Sequence, residues 1–441
     1  MPLEFDVKDI DENGMYVGWI QEKGCYPWQA ADIVTGRKTA AEAECPGFDE
    51  NYRHNHATDS ANTATAMATG YKVGNNMMAV DLYENFVPTL VEEAMACGKA
   101  GGVMSSVPIL HATPGAFITH AAYRKSDVMN VQTNKIDPTL AMGGCASRYQ
   151  PSDEHKDRLA AKGTFFSQQV GTSGETLLNG MSSLDPDDGA KVVACTINAY
   201  NMPYRGIDSS YSGRHGADGD VNTRDMTDHY DAETVASVPK MKTQCEKAIE
   251  FMGKADHGFF LMMEQGDIDW ALHGNHMDDM LGTILDFNDC IETFKEWIHN
   301  NGGWEKNALY VTADHDHFLH LEQNYPEVLA NMVIDGNSHH MTPDWHVGPS
   351  GGLHGDVDAP TQQWDEETVA AVGHFHALRG QHNWNGHTNM PVPLYAAGDD
   401  GCIPMQRGRG LKVIGKEIPG TPGYLDQVHL HECMRKQLFG Y

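Results

Sequence analysis

Along the chain, short apolar runs alternate with segments whose apolar positions recur at helical spacing. Residues 60–70 (SANTATAMATG) are almost wholly small and read as a helix. Residues 88–97 (PTLVEEAMAC) read as a second, closed by Gly98. Residues 101–107 are strand-like. Farther on, 234–252 has helical periodicity, 258–263 is a buried-strand run, 280–299 is a long amphipathic helix and 308–313 is another apolar strand. A last strand-like run covers 392–397. These segments fall in three dense blocks, about 55–124, 228–317 and 386–398. Strands alternating with helices predict an α/β fold, a mostly parallel central sheet with helices on both faces. The polar, Gly/Pro/His-rich stretches between the blocks, about 143–222 and 318–381, carry few periodic faces and no linker-like edge. They read as insertions and surface loops on a single domain spanning 1–441.

Composition narrows the class. The 441 residues are 40% hydrophobic with 45 glycines, enough for a core and neither collagen-like nor low-complexity. The 61 acidic residues outnumber 31 basic ones, giving a charge of −30, which argues against a nucleic-acid surface or an anionic membrane as partner. The apolar runs fall far short of the ~20 residues that a membrane span needs. Met1 is followed by PLEFD, so no signal peptide is visible in this chain. The nine cysteines (25, 45, 97, 145, 195, 245, 290, 402 and 433) include no CxxC pair, and their spacing gives no zinc-finger or redox reading. An acidic chain with 24 histidines hints weakly at metal.

Three segments carry candidate chemistry. In HATDSANTATAMATGYK, Ser60 stands at the start of a small-residue helix. Thr58 and Ser60 read either as plain N-cap residues or, for Ser60, as a nucleophile at a helix N-terminus. In GFFLMMEQGDIDWALHGNH an apolar strand runs into Glu264, then Asp269 and His273. Four residues apart, Asp269 and His273 share a helix face and can bind one ion; the bland reading is a solvated acidic turn. Carboxylates at the carboxyl end of a strand are where open α/β sheets place ligands. The third segment repeats that pattern, with Asp314 and His315 directly after an apolar strand. An adjacent Asp-His pair suits Zn²⁺. The following Asp316-His317 reads as a hydrogen-bonded surface pair.

Taken in order, TDSA-x-TATAMATG, HATP, E-x4-D-x3-H, VTADH and GHT resemble the motif series of the alkaline phosphatase family, over about 55–125, 230–318 and 380–398. The resemblance implies hydrolysis of small phosphate monoesters through a phosphoserine, with two zinc ions and one magnesium. It matches Ser60 to the phosphorylated serine, Arg124 to the arginine that grips phosphate oxygens, and Asp59 to the residue that orients it. Asp269, His273 and His387 match the ligands of one zinc. Asp314 and His315 match ligands of the second, which also takes the Ser60 oxygen, and Glu264 and Thr113 match the magnesium site. Two metals about 4 Å apart suit in-line displacement at phosphorus. The resemblance further implies a periplasmic or secreted location and, as in many family members, a homodimer.

The chain also departs from that pattern. Family members open with a hydrophobic strand ending in Asp-Gly, whose Asp bridges the second zinc and the magnesium. Residues 1–55 hold no such strand: MYVGWI at 15–20 continues into Gln21-Glu22-Lys23, and Asp6, Asp9 and Asp11 lie in a polar stretch. The expectation is an N-terminally incomplete chain of weak or no activity, unless another carboxylate substitutes. His111 stands where some members have Asp, and Trp270 where some have a basic residue. The alternatives are a non-catalytic metal- or phosphate-binding product or a phosphodiesterase of the same superfamily. A sulfatase would need a C/S-x-P-x-R context that the Ser60 segment lacks.

Overall fold

The computed structural model describes most of residues 58–321 and 387–440, together with 373–375, with internal breaks of which 146–151, 168–177 and 212–229 are the longer ones. Residues 1–55, in which the family's opening strand was not found, lie outside the described residues, and with them the run at 15–20, Cys25 and Cys45.

In chain order, the first half comprises α1 (Ser60–Thr69), α2 (Leu90–Ala96), β1 (Ala100–Pro108), α3 (Ala112–Ile118), α4 (Ser126–Ile136), β2 (Leu140–Gly144), α5 (Asp153–Lys162), β3 (Thr164–Ser167) and β4 (Val192–Ile197). Next come α6 (Ala232–Ser237), α7 (Met241–Met252), β5 (Phe259–Glu264), α8 (Asp267–His273), α9 (Met277–Asn300), β6 (Leu309–Thr312) and β7 (Asp316–His317). The remaining elements used below are β8 (Leu319–Leu321), β9 (Gly373–Phe375), β10 (His387–Thr388), β11 (Leu394–Ala397), α10 (Cys402–Gln406) and α11 (Gln427–Phe439).

Five strands form one sheet in the order β3-β4-β2-β1-β5, and every pairing in it is parallel. This is the expected α/β architecture. Side chains of a strand alternate between the two faces, and here they sort into two cores. Val103, Ala141, Val193 and Cys195 join one core with residues of α1, α3 and α11. Met104, Leu140, Met142, Val192 and Ala194 join the other with α7 and α9. Helices therefore cover both faces, and β1, β2 and β4 read as continuous apolar runs because neither of their faces meets water.

Four expectations need correction. The stretch 143–222, read as insertion and loop, supplies β3 and β4, and β4 is buried along its whole length. VVACTI is an apolar run too short to show a period, so its polar surroundings hid it. The 234–252 helix is in fact two, α6 and α7, since Pro239 lacks the N–H that a continuous helix would need. β5 is half-exposed rather than buried, and β6 lies outside the parallel sheet, paired antiparallel with β11. Of 318–381, only β8 and β9 lie within the described residues, and those two strands pair with each other.

Disulfides join Cys145, just after β2, to Cys195 in β4, and Cys402 in α10 to Cys433 in α11. No described helix is long and apolar enough to cross a membrane.

Candidate active site

The carboxyl ends of β1 and β5 and the start of α1 bring most of the candidate residues together. Asp59 caps α1: its side chain accepts the Asn62 N–H while the Asn62 side chain accepts the Asp59 N–H. Ser60 is thus the first residue of the helix, and its hydroxyl is not spent on capping. It is buried, and its Oγ lies 2.9 Å from His315 Nε2. Thr63, one turn on, donates from Oγ1 to Asp314 Oδ2 at 3.2 Å.

Asp269 Oδ1 lies at the centre of a group of imidazoles. His387 Nε2 is 3.3 Å away, His315 Nε2 is 3.9 Å away, and His317 Nε2 is in direct contact. One ligand atom from each of Asp269, His315, His317 and His387 falls within 4.8 Å of the others. The His315 and His387 rings stack with centroids 3.5 Å apart. His387 Nδ1 is 2.8 Å from the Thr58 carbonyl oxygen, which can only accept, so that nitrogen carries the proton. Burial works against a charged ring, but the Asp269 carboxylate and the Thr58 carbonyl raise the His387 imidazole above its ordinary value. A cation taking the place of the Nε2 proton would give the arrangement usual in a metal-ligating histidine. His317 is the residue that sequence reasoning missed. His273 ends α8 as expected, but its side chain lies outside the described residues.

A second group of oxygens sits beside the first. Ser105, on β1, donates to Glu264 Oε2 at 2.6 Å, and Thr113 on α3 also hydrogen-bonds Glu264. Burial, with Asp314 and Asp269 adding to it against the hydrogen bonds, pushes the Glu264 carboxyl up to about 7. Asp314 is pushed up to about 6, first by burial and then by Asp269. Three carboxylates in one buried pocket repel one another unless cations enter.

Arg124 stands at the rim. Its Nη1 is 3.4 Å from Asp59 Oδ2, and its Nη2 donates to His111 Nε2 at 3.2 Å. His111 in turn meets the Trp270 ring edge-on, with centroids 5.1 Å apart.

The sequence model of the alkaline phosphatase family matches residues 14–164 and 217–400, well over half of the chain. The chain belongs to the alkaline phosphatase family. An alkaline phosphatase of Escherichia fergusonii is 28% identical over 280 residues, 59% of this chain and 58% of that enzyme. Alkaline phosphatase 3 of Bacillus subtilis is 24% identical over 376 residues, 78% of this chain and 72% of that protein. The chain thus spans a little under three fifths of the Escherichia enzyme. Among solved structures, a cold-active alkaline phosphatase from a psychrophilic Shewanella superposes with a TM-score of 0.56 at 21% identity, covering 96% of this chain and 98% of that one. The alkaline phosphatase of the Antarctic bacterium TAB5 gives 0.53 at 19% identity over 87% of this chain and 84% of its own. At these identities the superpositions establish the alkaline phosphatase fold.

Proposed function

We propose that this site hydrolyses small phosphate monoesters, with Ser60 taking the phosphoryl group and Arg124 holding its oxygens. The observation that carries this reading is the convergence of Ser60 Oγ on His315 Nε2 at 2.9 Å, beside the cluster of three histidines and Asp269. Imidazoles with a carboxylate are a zinc donor set. The Ser105, Thr113 and Glu264 oxygens suit a hard cation such as magnesium. A variant of the TAB5 enzyme with Mg bound in its M3 site gives that assignment a precedent among structural relatives. On this reading Asp269, His273 and His387 hold one zinc, Asp314 and His315 with Ser60 hold the second, and Glu264 with Thr113 holds magnesium. Such ions supply charge neutralisation for the entering and leaving oxygens of an in-line displacement.

The chain's own groups do the rest. Ser60 sits at the positive end of the α1 dipole, where an anionic oxygen is favoured. Thr63 holds Asp314 in place, and Asp59 holds Arg124, whose planar fork matches two phosphate oxygens. With little covalent work needed at phosphorus, positioning and positive charge dominate catalysis. The two disulfides fit an oxidising compartment, consistent with a periplasmic or secreted protein. The substrate is a small monoester, and a homodimer is the assembly that the family favours. The Ser105–Thr113–Glu264 group favours a monoesterase over a phosphodiesterase, which lacks a magnesium pair.

The test is to incubate zinc- and magnesium-loaded protein with 32P-labelled phosphate, quench in acid and map the label. Ser60 is the expected site, with Ser60→Ala abolishing both the label and aryl phosphate hydrolysis. Label on another residue, or hydrolysis undiminished in Ser60→Ala, would sink the reading. A loaded chain that binds phosphate without turnover or label would establish the non-catalytic alternative instead.

A further inference from the structure

Arg124 is held by a short antiparallel ladder that no regular strand accounts for. Met78 and Ala121 exchange both backbone hydrogen bonds at 2.9 Å, and the Arg124 N–H donates to the Asn76 carbonyl at 3.1 Å. One end of the ladder is tied to the nucleophile's helix. The Asn76 N–H donates to Asp59 Oδ1 at 3.0 Å, the same carboxylate whose other oxygen faces the Arg124 guanidinium.

The other end is tied by a buried imidazole. His120 Nδ1 is 2.7 Å from the Ala79 carbonyl oxygen, and its Nε2 is 3.0 Å from Glu92 Oε1. Glu92 belongs to the capping box of α2, where Oε2 accepts the Thr89 N–H at 2.9 Å and the Thr89 hydroxyl accepts the Glu92 N–H. Burial alone would raise the Glu92 carboxyl. The hydrogen bonds from His120 and Thr89 outweigh it and hold the group below its ordinary value, so it is a carboxylate. A carbonyl and a carboxylate can only accept, so both contacts exist together only when each ring nitrogen carries a proton. Phe86 stacks on the His120 ring at 4.6 Å, nearly parallel, which shields it from water and suits a cationic ring.

We propose that His120 is a positioning residue for Arg124: by clamping Ala79 to the Glu92 cap, it fixes the ladder that aims the guanidinium at the phosphoryl site. This rests on the reading of Arg124 as the phosphate grip. The ladder connects Ala79 and His120 to Asn76 and Arg124. Ala79 is held in addition by its N–H to Thr65 Oγ1 at 3.0 Å and by the Val87 N–H on its carbonyl at 3.0 Å, so loss of the clamp is expected to loosen the arginine backbone without releasing it. Small misplacements of a positioning group carry large costs in binding and rate.

The test is a double-mutant cycle on the zinc- and magnesium-loaded chain, titrated with inorganic phosphate in a calorimeter. His120→Gln is expected to weaken phosphate binding by about fivefold, and to have under about a twofold effect in an Arg124→Ala background. Undiminished binding by folded His120→Gln, or an equal loss in both backgrounds, overturns the inference. If Arg124→Ala alone leaves phosphate affinity unchanged, it is the functional reading of Arg124 that fails. Should His120→Gln not fold, Glu92→Gln, which keeps an acceptor for the Thr89 N–H, enters the same cycle with a loss of about threefold expected. Failure of both variants to fold would make the clamp a determinant of the fold and overturn its positioning role.

Discussion

A single carboxylate oxygen, Asp269 Oδ1, faces three imidazole nitrogens, and His317 makes the closest of those contacts. Burial holds the His317 imidazole below its ordinary value against the pull of Asp269, so the ring is available as a neutral ligand or as a donor that orients Asp269. In either role its loss weakens the site. His317→Ala is expected to lower zinc affinity by roughly 10- to 100-fold, the usual cost of removing a group that orients a ligand. Competition with a chelating dye measures it, and unaltered affinity would take His317 out of the site. At this scale the sequence was readable wherever a residue's type and strand-end position both spoke for chemistry, as with Asp314 and His315. His317 was read as a surface residue, yet the signal was present. Residues two apart on an extended segment share a face, which would have suggested pairing His317 with His315. In the structure the chain bends at Asp314 and His315 before β7, and both rings reach Asp269. Ser105 carried no signal, because a serine inside an apolar strand is unremarkable until Glu264 is seen opposite it.

The small-residue helix α1 shows how one element sets the site's tolerance. All of its residues but Asn62 are buried, and it ends at Gly70 with φ 78°, where the N–H returns to the Ala66 carbonyl. A Cβ on Gly70 would lie 2.9 Å from His431 Cδ2, a ring that is itself buried and bonded through Nδ1 to the Met67 carbonyl. Gly70→Ala therefore combines left-handed backbone strain with overpacking, and it is expected to cost about 2–4 kcal/mol. Denaturant titration reads the cost. In a His431→Ala background only the backbone part, about 1–2 kcal/mol, should remain. An equal penalty in both backgrounds would show that the ring does not oppose the Cβ. The helix was legible from its Ala/Thr content and terminal glycine, whereas its cap was not. Thr58, Asp59 and Ser60 are all good N-cap types, and only the backbone chooses Asp59. The 234–252 expectation followed the apolar period across Pro239, where a proline inside a helix pattern already predicts a break.

For the whole molecule, alternation of strands and helices made the parallel sheet legible, but the order β3-β4-β2-β1-β5 could not be read. Strands buried on both faces carry similar apolar runs, and nothing in a run names its neighbour. Disulfide connectivity was closed to the sequence for a related reason: spacing alone does not specify pairing, and Cys145 meets Cys195 only because β2 and β4 are adjacent. The same adjacency gathers an ion cluster that ties three elements. Asp137, just after α4, faces Lys191 Nζ at 2.9 Å, at the foot of β4, and His155 Nε2 at 3.2 Å, on α5. Burial by itself would raise the Asp137 carboxyl, but the hydrogen bonds and charges of His155 and Lys191 pull it down to about 2. A carboxyl depressed by folding contributes stability above its unfolded value that is lost as pH falls through the folded one. Here that window runs from about 4 down to about 2, and with solvent screening of this partly exposed group it is worth about 1 kcal/mol. Asp137→Asn isolates the term, because asparagine tolerates the positive φ of 55° at this position. Wild type should exceed Asp137→Asn by about 1 kcal/mol at neutral pH, with the gap closing as the pH drops below 4. Urea unfolding at a series of pH values measures it. A gap that does not narrow on acidification would mean that Asp137 acts through packing and not through its charge.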